Sequence, residues 1–185
     1  MPISNVFNVD CLEYMRGLPD KFFDLAVVDP PYGIKHSTIA GKQSGSKYGK
    51  AAAAKRVYDT KDWDNEPPPF EYFIELNRVS KNQIIWGANH FISRMPFDSA
   101  AWIFWNKDNG TNNFSDGDLA FTSFKKGLRM VKITWNGMIQ SDMKNKEVRF
   151  HPTQKPVALY LWLLENYGQG GVRFSTPTWV ASRAE

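Results

Sequence analysis

At 185 residues, with 42% apolar and 15% aromatic residues, the chain can bury one sizeable core, which excludes a disordered or collagen-like polymer. The formal charge of +4, from 23 basic and 19 acidic residues, excludes neither a polyanionic partner nor its absence. One cysteine, Cys11, excludes an internal disulfide framework and suits a reducing cytoplasm. Met1 to Asn5 carries no secretory pattern and no apolar run approaches a membrane span, so the expectation is a cytoplasmic domain without a membrane partner.

In chain order, Val6 to Val9 predicts a short strand, Cys11 to Leu18 a helix with Leu12, Met15 and Leu18 on one side, and Asp24 to Asp29 the next strand. That is a βαβ opening. Asp10, between the first two elements, suits a helix cap, which leaves it free for a second role. The run Leu25 to Val28 is continuously apolar between Asp24 and a diproline, too brief for a helix and suited to a buried strand. Asp29 therefore sits at a strand's carboxyl end, the edge where open α/β sheets bind ligands.

Asp29-Pro30-Pro31-Tyr32-Gly33 is the most telling segment. Each proline has a fixed φ and no N–H, so the backbone carbonyls here are stiff acceptors without competing donors. Asp29 and the Pro30 carbonyl can together accept both hydrogens of one amino group, with the ring of Tyr32 against the flat base that carries it. Such fixed acceptors favour a tetrahedral nitrogen and stabilise the positive charge it gains on attacking a methyl group. The plainer alternative is a strand end leading into a polyproline-like turn, with Tyr32 a boundary residue.

Residues 34–69 are rich in Lys, Gly, Ser and Ala without a consistent period, which predicts a long loop. Two readings stand side by side: a basic flap whose Lys42, Lys47, Lys50, Lys55 and Arg56 contact DNA phosphates, or a solvated insertion. Phe70 to Val79 follows three prolines as a helix, and Gln83 to Trp86 and Ala101 to Phe104 read as strands, with Trp86, Trp102, Phe104 and Trp105 most simply core and base stacking by one of them the alternative. Asn106 to Phe114 reads as a loop, and Asp118 to Phe124 and Val131 to Trp135 as further strands. Basic residues recur over 125–150, at Lys125, Lys126, Arg129, Lys132, Lys144, Lys146 and Arg149, either as a polar face or as a nucleic-acid contact. Pro156 opens a helix carrying Val157, Tyr160, Leu161, Leu164 and Tyr167 at helical spacing, with Gly168 just past its end. His36, His90 and His151 share no metal-ligand spacing, so no metal site is expected.

The apolar strand followed by DPPYG resembles the catalytic motif of amino-group DNA methyltransferases that use S-adenosylmethionine, in the aspartate form typical of adenine N6 enzymes. His151-Pro152-Thr153-Gln154-Lys155-Pro156 resembles the cofactor-side block of the permuted class in which DPPY comes first, and Asn8 to Glu13 resembles its adenine-contacting stretch. Ile85 to Asn89, Trp102 to Lys107 and Asp118 to Phe124 look like the middle of phage and prophage members, some of them partners in restriction-modification. The likeness runs from about residue 3 to 168. It implies a Rossmann-like fold, S-adenosylmethionine as cofactor, DNA as partner, Asp29, Pro30, Pro31 and Tyr32 as catalytic residues, and Asp10, Cys11, Thr153, Gln154, Lys155 and Pro156 on the cofactor side. It also puts target recognition in the basic stretch before the HPTQKP block. Methylation of cytosine N4 or of a protein amide shares the pocket chemistry, and an inactive remnant that binds DNA or nothing is the alternative from another class.

After the last helix the resemblance implies a central strand and a glycine loop, and neither is recognisable in residues 172–185. Synonymous codons for Arg173 to Ser182, read one frame over, encode Ile-Phe-Asp-Thr-His-Leu-Gly-Ser, close to the absent block. The expectation is thus one methyltransferase domain whose tail is frameshifted, leaving the Rossmann-like sheet without its central strand and the chain weak in cofactor binding.

Overall fold

The computed structural model describes residues 5–34, 64–110, 115–136, 139–148, 153–168 and 174–175. Their elements are α1 (Cys11–Arg16), β1 (Phe23–Val28), α2 (Phe70–Val79), β2 (Ser80–Trp86), β3 (Trp102–Asn106), β4 (Gly117–Thr122), β5 (Arg129–Lys132), β6 (Trp135–Asn136), β7 (Ile139–Gln140), α3 (Val157–Tyr167) and β8 (Phe174–Ser175). Six strands form a mixed sheet in the order β5-β3-β4-β2-β1-β8, and β6 and β7 form a separate small ribbon. β1 pairs in parallel with β2 and β8, β3 in parallel with β5, and β4 is antiparallel to both β2 and β3. Five strands therefore run one way and β4 the other. The architecture is mixed α/β and compatible with a Rossmann-like fold.

Alternation along β1 explains why its sequence is apolar throughout. Ala26 and Val28 face one side, packing with Met15 of α1, with Tyr72, Phe73, Leu76 and Val79 of α2, and with Ile85 and Phe121. Leu25 and Val27 face the other, among Ile84, Trp86, Ile103, Trp105 and the α3 residues Leu159, Leu163 and Tyr167. A strand buried on both faces has no polar side to show. The sheet is thus a middle layer, with α1 and α2 on one face and α3 on the other.

Two expectations require correction. Residues 6–9 form no strand, and Val6, Phe7 and Val9 are exposed. No strand lies alongside them among the described residues; the Phe7 ring instead stacks on Tyr14 of α1, with centroids 5.3 Å apart. The parallel unit is therefore β1–α2–β2, not one that begins at Val6. The buried stripe of α3 is Leu159, Leu163 and Tyr167, whereas Val157 and Leu161 are exposed. Its sequence is apolar nearly all round, so periodicity alone does not choose the face.

Within the 172–185 tail, in which no central strand was recognisable from the sequence, Phe174–Ser175 pairs in parallel with Leu25 and Ala26 along the outer edge of β1. The other residues of 172–185, most of the 34–69 loop, His151 and Pro152 lie outside the described residues.

Candidate active site

Because β1, β2 and β3 run together and β4 runs against them, the carboxyl ends of three strands and the start of β4 share one edge. The groups that cluster there come from Asp29 to Gly33 after β1, Gly87 to His90 after β2, Lys107 after β3 and Asp118 in β4. Lys155, just ahead of α3, joins them from the opposite face of the sheet.

At the centre is a three-membered contact. Lys155 Nζ lies 2.6 Å from Asp29 Oδ1 and donates to the Tyr32 hydroxyl at 3.1 Å. Tyr32 in turn donates to the same Asp29 Oδ1 at 2.8 Å. The Lys155 side chain is only 4% exposed and that of Asp29 23%, so this is a largely desolvated ion pair with a phenol bridging it. All these contacts fall on Oδ1, and Asp29 Oδ2 accepts no hydrogen bond among the described residues. Burial, then the Asp29 charge, then that of Asp118, hold the Tyr32 phenol well above its ordinary pKa. Tyr32 therefore stays protonated and available as a donor.

Aromatic surfaces enclose the triad. The Tyr32 ring stacks on the exposed imidazole of His90, with centroids 5.0 Å apart and planes 16° from parallel. Its edge lies so close to Gly87 that a Cβ there would come within 2.1 Å of the ring. Lys155 Nζ is 5.3 Å from the ring centre of Trp86, a second cation–aromatic contact beside the 5.6 Å one to Tyr32. Trp86 meets Trp105 edge-on, Lys107 Nζ lies 5.2 Å from the Trp105 ring, and Lys107 pairs with Asp118 at 2.7 Å. Trp86 is fully buried, and its Nε1–H has no acceptor among the described residues.

The structure thus brings together Asp29, Pro30, Pro31, Tyr32 and Lys155. Pro156 is buried as the residue before α3, the exposed Thr153 lies on the same segment, and the Gln154 carbonyl accepts from Trp135 Nε1 at 2.9 Å. Asp10 caps α1, its Oδ1 accepting the Leu12 and Glu13 N–H groups at 2.9 Å each. Cys11 follows it, half-buried, and burial with the adjacent Asp10 charge pushes its thiol up to about 11. The buried phenol of Tyr72 on α2 is raised by burial, then by Cys11 and then by Asp29. Lys42, Lys47, Lys50, Lys55 and Arg56 lie outside the described residues. In the 125–150 stretch Lys125 and Arg129 are exposed, Lys132 pairs with Asp108 at 2.9 Å, and Lys126 donates to the Asn166 carbonyl at 2.9 Å.

Sequence reasoning missed Asp64, Gly87, His90 and Tyr160. Tyr160 on α3 is partly buried against the α3-side core, and burial and then the Asp29 charge raise its phenol above the ordinary tyrosine pKa. Gly87 directly follows a predicted strand, a local sign of a turn, but no local signal set it, His90 or Asp64 against Tyr32. Among the described residues no group of three or more His, Cys, Asp or Glu side chains is placed to hold a metal, and no helix is long and apolar enough to cross a membrane. Comparison of the chain with protein-family models and with curated proteins finds no match.

Proposed function

We propose that this chain is an amino-group DNA methyltransferase acting on adenine N6, with Asp29, Pro30, Pro31 and Tyr32 at its catalytic centre. The observation that carries the reading is the Asp29–Lys155 contact at 2.6 Å: a carboxylate at a strand's carboxyl end, bridged by a phenol, already holds a cationic nitrogen in a largely desolvated setting. An exocyclic amine becomes cationic as it attacks a methyl group, so a pocket of this chemistry stabilises the transition state more than the neutral base. Asp29 Oδ2 and the Pro30 carbonyl are the acceptors assigned to the incoming amine.

The donor set fits the adenosine part of S-adenosylmethionine, since Asp10 spends only Oδ1 on its cap and is exposed. Asp10, Cys11 and Thr153 to Pro156 would hold it, and when bound it would supply an activated methyl group. Around it, the chain's own residues orient and exclude. Tyr32 stays protonated and directs its hydroxyl to Asp29, while the buried Trp86 ring covers the Lys155 ammonium. The flat contact with His90 supports Tyr32 as a stacking surface, and a base extruded from the duplex would take that partner's place.

Labelled S-adenosylmethionine, mixed-sequence duplex DNA and the full chain, followed by digestion to nucleosides and mass spectrometry, test this. At saturating S-adenosylmethionine, which offsets the weak cofactor binding expected of a chain without a recognisable glycine loop, N6-methyladenine is expected, and Asp29→Asn is expected to lower its formation by about 10²-fold or more. N4-methylcytosine would move the assignment to the other base. The second reading, a silent DNA binder, is favoured by Lys155 occupying Asp29; bound DNA without any methylated base would establish it and overturn the enzyme.

A further inference from the structure

We propose that Asp64 is a positioning residue that clamps the Asp29 to Gly33 turn and so fixes the pose of Tyr32; this deepens the methyltransferase reading and rests on it for its catalytic consequence. Pro30 and Pro31 have no N–H, which leaves Tyr32 and Gly33 as the turn's first two backbone donors after Asp29. Both go to one atom. Asp64 Oδ1 accepts from Tyr32 N at 2.8 Å and from Gly33 N at 3.0 Å, and Asp64 is 1% exposed. Successive N–H groups converging on a carboxylate form an anion-binding nest, and the positive φ of Gly33, +72°, is the glycine geometry such a nest uses.

The partner is held as firmly as the turn. A Cβ on Gly33 would come within 2.5 Å of Pro67 Cδ, so the chain three residues beyond Asp64 lies directly against the turn. The Arg94 guanidinium donates to the Pro67 and Pro68 carbonyls at 2.8 and 3.1 Å, tying that segment to the region after β2. With Tyr32 N fixed from below, its ring has one course, past Gly87 to His90, and its hydroxyl ends on Asp29. Asp64 thereby acts on the reacting amine through Tyr32 and Asp29, without touching it.

The test uses the full chain with 13Cε-labelled tyrosine, its Tyr32 signal assigned by Tyr32→Phe, in Asp64→Ala, Asp64→Asn and Asp64→Glu. Asparagine keeps an oxygen at the same reach; glutamate keeps the charge but moves it by one methylene. The expected result is a Tyr32 signal displaced towards that of exposed tyrosine in Asp64→Ala and Asp64→Glu and retained in Asp64→Asn, with the Tyr167 signal unchanged throughout. In the methyl-transfer assay kcat should fall about tenfold or more in the first two at nearly constant KM for DNA, and recover in Asp64→Asn. A Tyr32 signal unmoved in Asp64→Glu, or tyrosine signals shifted together in every variant, would overturn the proposal. Should Asp64→Ala not fold, the glutamate and asparagine pair decides. Should the wild type transfer no methyl group, the methyltransferase reading fails while the tyrosine signals still decide the clamp.

Discussion

Lys155 and Asp29 each depend on the other for a hydrogen-bonded, largely desolvated place, and that dependence separates stability from chemistry. Truncating one partner of such a pair leaves an uncompensated charge, which costs about 3–5 kcal/mol, whereas replacing both by apolar groups is often near neutral. Asp29→Ala should therefore destabilise the chain by about 3–5 kcal/mol in denaturant unfolding, and adding Lys155→Met should recover most of that loss. Under the proposed function, methyl transfer should be absent in both, because the carboxylate assigned to the incoming amine is gone either way. Equal stability of the single variant and the wild type would show that the pair is solvated, against its 4% and 23% exposure.

At the level of elements, the site exists because β2 is followed directly by Gly87, whose φ of +68° lets the chain turn under the Tyr32 ring. Gly87→Ala adds both a left-handed strain and a Cβ 2.1 Å from that ring, so it should cost about 1–3 kcal/mol and displace Tyr32 from His90. A crystal structure or the Tyr32 ring signal reads the displacement; an unmoved ring would mean that β2, not Tyr32, gives way. How far these elements were legible follows the range of the interactions that make them. β1 was legible because an apolar run between Asp24 and two prolines is a local signal, and its carboxyl-end aspartate came with it. The face of α3 was not, since VALYLWLLENY offers apolar residues in every direction and only the sheet selects among them. Val6 to Val9 misled because apolar content predicts a strand but cannot supply a neighbour to pair with. Asp64, Gly87 and His90 lie 32, 55 and 58 positions from Tyr32, and nothing in their local sequence announces that the fold sets them against it.

In the molecule as a whole, buried groups that hold protons accumulate around the site: Cys11, Tyr32, Tyr72 and Tyr160 all have their proton affinity raised, chiefly by burial. The fold therefore binds these protons more tightly than the unfolded chain does, and stability must fall with pH wherever the unfolded chain releases them first. For Cys11 the contribution is complete below pH 9.0 and is lost as pH climbs towards its folded value of about 11. The phenols act in the same direction from about pH 10 upwards, where unfolded tyrosine ionises. Since these side chains sit in the α1 and α2 layer, in the site and on α3, alkaline loss should strike the whole α/β unit cooperatively. Circular dichroism melts between pH 8 and 11 should show Tm steady at first and falling beyond about pH 9, and Cys11→Ala with Tyr72→Phe should flatten that fall. A Tm that stays level to pH 11 in the wild type would mean that water reaches these groups in the folded chain, and the enclosed site described above would have to be opened accordingly.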